Sequence, residues 1–106
     1  MIDPGHGGKD SGAVGAKGVK EKDVALKISL AAKKVLEGAG YAVRLTRDKD
    51  VFLSLEERTA FANRLNADVF LSIHANAHDD EDVHGIESYY LDTTSDKYAL
   101  RLAAVE

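Results

Sequence analysis

Apolar and polar residues recur along this chain with two different periods, and the changes of period mark its elements. Between Lys22 and Glu37, Val24, Ile28, Ala31, Ala32 and Val35 follow helical spacing while Lys27, Lys33, Lys34 and Glu37 take other faces. That predicts a helix, with Gly38 and Gly40 as its stop signals. Tyr41 to Thr46 alternates instead, with Tyr41, Val43 and Leu45 on one side and Ala42, Arg44 and Thr46 on the other, which predicts a short strand. Ser54-Leu55-Glu56-Glu57 has the form of a capping box. The helix it opens is expected to run to about Asn66, with Leu55, Phe61, Ala62 and Leu65 as its apolar members. Val69 to Ile73 is continuously apolar and predicts a strand covered on both faces. Ile86 to Leu91 predicts a further strand, and a last helix is expected to begin at Ser95.

The order is then loop, helix, strand, helix, strand, strand, helix. Strands separated by helices argue for βαβ units, and so for an α/β fold with parallel pairs covered by helices. The loop is the segment from Gly5 to Gly18, which holds six of the nine glycines. A turn of the form Asp3-Pro4 that carries a functional histidine should follow a strand. Only Met1 and Ile2 precede it, so the first strand is expected to be clipped.

Composition narrows the partners. A chain of 106 residues is one domain at most. Its 44% hydrophobic and 30% charged content is that of a folded globular protein. A net charge of −4 leaves no basic footprint, which argues against nucleic acid. No apolar stretch approaches the roughly 20 residues of a membrane span. Neither a basic segment nor an apolar one opens the chain, so no signal peptide is expected within it. The absence of cysteine removes disulfides and thiolate ligands.

The chemistry lies in His6, Glu21 and His74. His6 stands between Gly5, Gly7 and Gly8, where the backbone can turn sharply. His74 follows the apolar run ending at Ile73, at the carboxyl end of a strand, where open α/β sheets gather their ligands. Glu21 lies at a helix start, where the dipole favours a carboxylate, and spacing alone does not prefer it to Asp23. Two histidines and a carboxylate on three elements are what an open catalytic Zn²⁺ site needs. Each has a blander reading, as a loop histidine, a core histidine or a solvated carboxylate. His78 and His84 bracket the acidic run Asp79-Asp80-Glu81-Asp82 and could form a second cluster with His74; an exposed loop is the simpler reading. The glycine loop fits neither GxGxxG nor GxxxxGK[ST], so a phosphate cradle is weakly supported.

Seven segments in register carry a resemblance. They are Ile2-Asp3-Pro4-Gly5-His6-Gly7-Gly8-Lys9-Asp10, Gly12-Ala13-Val14-Gly15, Lys20-Glu21-Lys22-Asp23-Val24 and Leu45-Thr46-Arg47-Asp48. Then come Leu55-Glu56-Glu57-Arg58, Leu71-Ser72-Ile73-His74-Ala75-Asn76-Ala77 and Gly85-Ile86-Glu87-Ser88-Tyr89-Tyr90-Leu91. Through them the chain resembles the zinc-dependent N-acetylmuramoyl-L-alanine amidases, bacterial cell-wall hydrolases of the AmiC type.

The resemblance implies Zn²⁺ held by His6, Glu21 and His74, which separates Glu21 from Asp23. It implies peptidoglycan as substrate and the amide between N-acetylmuramic acid and L-alanine as the bond. It implies an α/β fold with a twisted, mostly parallel sheet flanked by helices on both faces. Residues 1–106 then read as the N-terminal two-thirds of a single amidase catalytic domain, incomplete at the C-terminus. Relatives carry a late catalytic glutamate beyond the point where this chain stops, and neither Glu87 nor Glu106 stands in its place. No catalytic residue is therefore assigned within the chain, and a non-catalytic zinc-containing peptidoglycan-binding module is the alternative. Expected partners are peptidoglycan and either a regulatory activator protein or a second copy joined through an open sheet edge. The implied location is periplasmic or at the extracellular cell wall.

Overall fold

The computed structural model describes residues 1–90. The chain runs through β1 (Ile2–Pro4), a 3₁₀ turn (Ala16–Gly18), α1 (Glu21–Gly38), α2 (Leu55–Arg64) and β2 (Leu71–Ile73). β1 and β2 pair in parallel, with Ile2 beside Leu71, Asp3 beside Ser72 and Pro4 beside Ile73. The sequence between them includes α1, which packs against both strands. The α/β expectation holds, and the predicted last helix from Ser95 lies outside the described residues.

The strand expected over Tyr41–Thr46 is reduced to a single rung. Ile2 N–H donates to Arg44 O at 2.8 Å and Thr46 N–H to Ile2 O at 3.0 Å, forming one parallel bridge between Ile2 and Leu45. Two residues on, the donor on that side of β1 would be the nitrogen of Pro4, which carries no hydrogen. The ladder ends there, and Arg47 turns inward instead, 4% exposed.

β2 is shorter and barer than its apolar run suggested. Val69 is 70% and Leu71 43% exposed, so this strand is not covered on both faces among the described residues. Continuous apolarity reports what a strand can bury, and burial needs a neighbour from elsewhere in the chain. Residues 86–90 form no strand, and Ile86 is almost wholly exposed. Leu91, the end of that expected strand, lies outside the described residues.

Both predicted helices form. Ser54 Oγ accepts from Glu57 N–H at 3.1 Å and the Glu57 carboxylate accepts from Ser54 N–H at 3.1 Å, so the capping box is present. α2 ends at Arg64, within two residues of the expected stop. In α1 the period is right and the face is wrong. Lys22, Ala25 and Ser29 are buried, whereas Ile28 is 47% and Val35 71% exposed. The inward stripe is set by what the loop after β1 needs from it, and that includes the Lys22 amine.

The buried interior confirms that priority. Among the described residues Ile2, Pro4, Ala25, Val43 and Ala62 are the buried apolar side chains. Asp3, Glu21, Lys22, Ser29, Arg47 and Arg58 are buried beside them. Buried charge is costly unless it is paired or hydrogen-bonded. The fold accepts that cost where β1 runs into the glycine loop.

Candidate metal centre

Parallel pairing brings the two histidines together. β1 ends at Pro4 and β2 at Ile73, with Gly5 N–H donating to Ile73 O at 2.9 Å. His6 and His74 therefore leave the carboxyl ends of adjacent strands, and their rings meet edge to face with centroids 4.9 Å apart. Glu21 opens α1, its N–H bonded to Ala13 O at 2.8 Å, so the glycine loop delivers the helix start to the same place. His6 Nε2 and His74 Nδ1 each lie 3.0 Å from Glu21 Oε1.

Two glycines make that approach feasible. A β-carbon on Gly5 would fall 2.5 Å from His74 Cε1, and one on Gly12 would fall 2.5 Å from His6 Cδ2 and 2.6 Å from Glu21 Oε2. Neither distance is tolerable for carbon, so bare backbone is required at both positions.

Glu21 is 5% exposed and its carboxylate is fully engaged. Oε2 accepts from Ala13 N–H at 2.8 Å, and Oε1 accepts from Ala75 N–H at 3.1 Å. Burial pushes its pKa up, but hydrogen bonds from His74, Ala13 and Ala75 and the charge of His6 outweigh that and hold it at about 2. A folded-state value below the ordinary carboxylate value of 4.5 means that the ionised form stabilises the fold. That contribution is fully present above about pH 4.5 and lost as pH falls towards 2. Urea unfolding of the metal-free chain should therefore weaken across that window, and Glu21→Gln should flatten this part of the profile. An unchanged slope in Glu21→Gln would remove Glu21 as its source.

Asp10 was not singled out from the sequence. Its Oδ2 lies 2.9 Å from His6 Nδ1, and its Oδ1 accepts from Gly12 N–H at 3.1 Å. Partial burial opposes its charge, but the hydrogen bonds from His6 and Gly12 prevail and hold its pKa below the usual value. A carboxylate on Nδ1 keeps the proton there and turns Nε2 towards Glu21, as outer partners of metal-binding histidines do. Its position four residues after His6 was the available signal.

The donor set can be tested against a divalent ion. Zn–N and Zn–O bonds of about 2.0–2.2 Å place tetrahedral ligands roughly 3.3 Å apart. The His6, Glu21 and His74 ligand atoms all lie within 4.8 Å of one another. Two neutral imidazoles and an ionised carboxylate, with a second carboxylate behind, match such an ion in charge and hardness. The group could hold a metal ion, and no other group of described residues does so. His78 and His84 stay in an exposed loop, where His78 Nδ1 accepts from Asp80 N–H at 3.0 Å. Asp23, the rival to Glu21, is exposed and outside the cluster. A cleft of about 410 Å³ opens beside the centre, walled by Phe52, Leu53, Leu55 and Phe70 and shared by His6 and His74.

Residues 1–105 match the family described as N-acetylmuramoyl-L-alanine amidase (Amidase_3). The chain is 46% identical over 93 residues to N-acetylmuramoyl-L-alanine amidase AmiC of Neisseria meningitidis, covering 88% of this chain and 22% of that protein. Among solved structures it is similar to the amidase AmiC2 of Nostoc punctiforme, with a TM-score of 0.71 at 52% identity over 76% of this chain and 44% of that one. It is also similar to the CwlD amidase of Clostridioides difficile, solved in complex with the GerS lipoprotein. There the TM-score is 0.72 at 33% identity, covering 77% of this chain and 50% of that one. The chain thus spans under a quarter of the AmiC protein and about half of each structural relative. By the family match over nearly its whole length, this chain belongs to the N-acetylmuramoyl-L-alanine amidase family.

Proposed function

We propose that the chain forms the metal-binding part of a zinc-dependent amidase that cleaves between N-acetylmuramic acid and L-alanine in peptidoglycan. The observation that carries this reading is the convergence of His6, Glu21 and His74 at the ends of two parallel strands and the start of α1. These three would hold Zn²⁺ and leave its fourth position to water or substrate. When bound, the ion supplies a Lewis acid that lowers the pKa of water to roughly 7 and polarises an amide carbonyl.

The chain's own residues prepare that chemistry. With its Nδ1 proton held by Asp10, His6 would present the Nε2 lone pair to an ion. The Ala13 and Ala75 amides keep Glu21 ionised and fix its carboxylate plane. The apolar side of the cleft offers uncharged parts of a substrate a surface to pack against beside the two histidines. Peptidoglycan as substrate places the protein in the periplasm or at the cell wall. No helix among the described residues is long and apolar enough to cross a membrane. The CwlD–GerS complex, an amidase bound to a lipoprotein, supports a protein as a further partner, for which an activator is the role proposed.

Incubating the purified chain and Zn²⁺ with isolated peptidoglycan tests the reading. It predicts slow release of stem peptides with free N-terminal L-alanine, since no proton-transfer carboxylate is assigned within the chain, and that release is abolished by chelator. Zinc-dependent retention on the cell wall without release would replace it with the binding-module alternative. Neither retention nor release would sink both.

A further inference from the structure

We propose that Arg47 and Arg58 are positioning residues for His6, acting through main-chain carbonyls to hold its imidazole at the metal centre. The inference rests on the metal-site reading above and adds the device that builds the site. His6 has φ 60°, a left-handed conformation uncommon outside glycine, although histidine, like asparagine and aspartate, visits it more often than other residues do. Such a residue persists only where its surroundings over-determine it.

The surroundings are two guanidiniums. His6 O accepts from Arg47 Nε at 2.8 Å and from Arg58 Nη2 at 2.8 Å. Gly5 O accepts from Arg47 Nη2 at 2.8 Å, and Pro4 O accepts from Arg58 Nη1 at 2.7 Å. Beyond them, Gly7 O accepts from Asp10 N–H at 3.0 Å and Gly8 O from the Lys22 amine at 3.0 Å. Each carbonyl from Pro4 to Gly8 thus has a donor, and cations supply all but one.

Both arginines are 4% exposed, a costly placement that the fold retains. Arg58 has a carboxylate partner in Asp3 at 2.9 Å. All five Arg47 bonds run to carbonyls, of Pro4, Gly5, His6, Lys49 and Lys22. The last of these belongs to the first turn of α1, next to Glu21. Arg47 therefore ties the loop that carries His6 to the helix end that carries Glu21. That tie sets the spacing of two of the three ligands. A planar fork with fixed donor directions can do this, and a lysine cannot.

Arg47→Lys keeps the charge and removes the fork. Three quantities are read on the full chain: the Zn²⁺ dissociation constant by competition with a chromophoric chelator, amide exchange of the metal-free chain, and its melting temperature with chelator present. Ala62→Gly, in the buried face of α2, is the control for general destabilisation. The proposal predicts Zn²⁺ binding about 10–100-fold weaker in Arg47→Lys, the range for outer partners of metal ligands. It also predicts faster exchange at the Gly7 and Asp10 amides with protection retained along α1. Ala62→Gly should lower the melting temperature without moving zinc affinity beyond about twofold, taking the 10-fold floor for outer partners as the contrast. The proposal is overturned if Arg47→Lys folds with native zinc affinity and native loop exchange, or if its affinity loss is no larger than that of Ala62→Gly. If Arg47→Lys does not fold, Arg58→Lys is read in the same way and decides. A wild-type chain that binds no Zn²⁺ fails the metal reading alone, because the exchange arm still reports whether the arginines hold the loop.

Discussion

Replacing His6 or His74 by alanine should abolish tight Zn²⁺ binding while leaving the helices in place. Structural zinc sites with four ligands bind with about 10–16 kcal/mol, or roughly 3 kcal/mol per ligand, so losing one of three should weaken binding by on the order of 10²-fold or more. Both histidines stand beyond the ends of strands and outside the helices, so α1 and α2 should form as before. The measurement is equilibrium dialysis followed by metal analysis, with far-ultraviolet circular dichroism as the folding control. Retention of stoichiometric zinc by a folded His74→Ala chain would remove His74 from the site.

The second large effect concerns Asp3, which touches no ligand atom. It is 4% exposed, its Oδ1 accepting from Arg58 Nη1 at 2.9 Å and from Thr46 Oγ1 at 2.6 Å. Ser72 Oγ lies 3.5 Å from its Oδ2, on the neighbouring strand. Asp3→Ala would strand the Arg58 guanidinium in the interior without its counter-charge. Breaking a buried pair in this way costs about 3–5 kcal/mol. Against a typical domain stability of about 5–15 kcal/mol, much of the fold would be lost. Asp3→Asn keeps the shape and the Thr46 contact, so it should cost less. Urea midpoints in chelator read both variants; equal losses would show that charge, rather than shape, is what Asp3 supplies.

Legibility from sequence followed the range of the interactions involved. α2 was readable because its capping box is complete within Ser54–Glu57. α1 was readable in period and misread in face, because Lys22 and Ser29 turn inward while Ile28 and Val35 stay exposed. That choice depends on Gly8 O and Asp50, partners far along the chain, to which the Lys22 amine bonds at 3.0 and 2.8 Å. The strand at Tyr41–Thr46 was overread because its neighbour β1 carries a proline where the next donor should be. The run at Ile86 could show a capacity for pairing but not a partner.

The site itself was the more legible part. His6 and His74 were found by their places at a glycine turn and a strand end, and the structure brings both to Glu21. Glu21 needed the family resemblance to separate it from Asp23, since both carboxylates fall in the first turn of α1. Asp10, Arg47 and Arg58 stood in the segments that carried the resemblance and received no role. Their function is to grip backbone and ring atoms, and no spacing rule encodes which carbonyl a buried guanidinium will meet.

The central claim is that His6, Glu21 and His74 form one zinc site, and X-ray absorption at the zinc edge tests it most directly. The claim predicts one Zn²⁺ per chain with only nitrogen and oxygen neighbours at about 2.0–2.2 Å, including the outer scattering of two imidazoles. In His6→Ala, loaded with zinc in excess of its weakened affinity, the imidazole scattering should fall to that of one ring. A chain that retains no zinc after dialysis, or a zinc spectrum unchanged by both His6→Ala and His74→Ala, would contradict it.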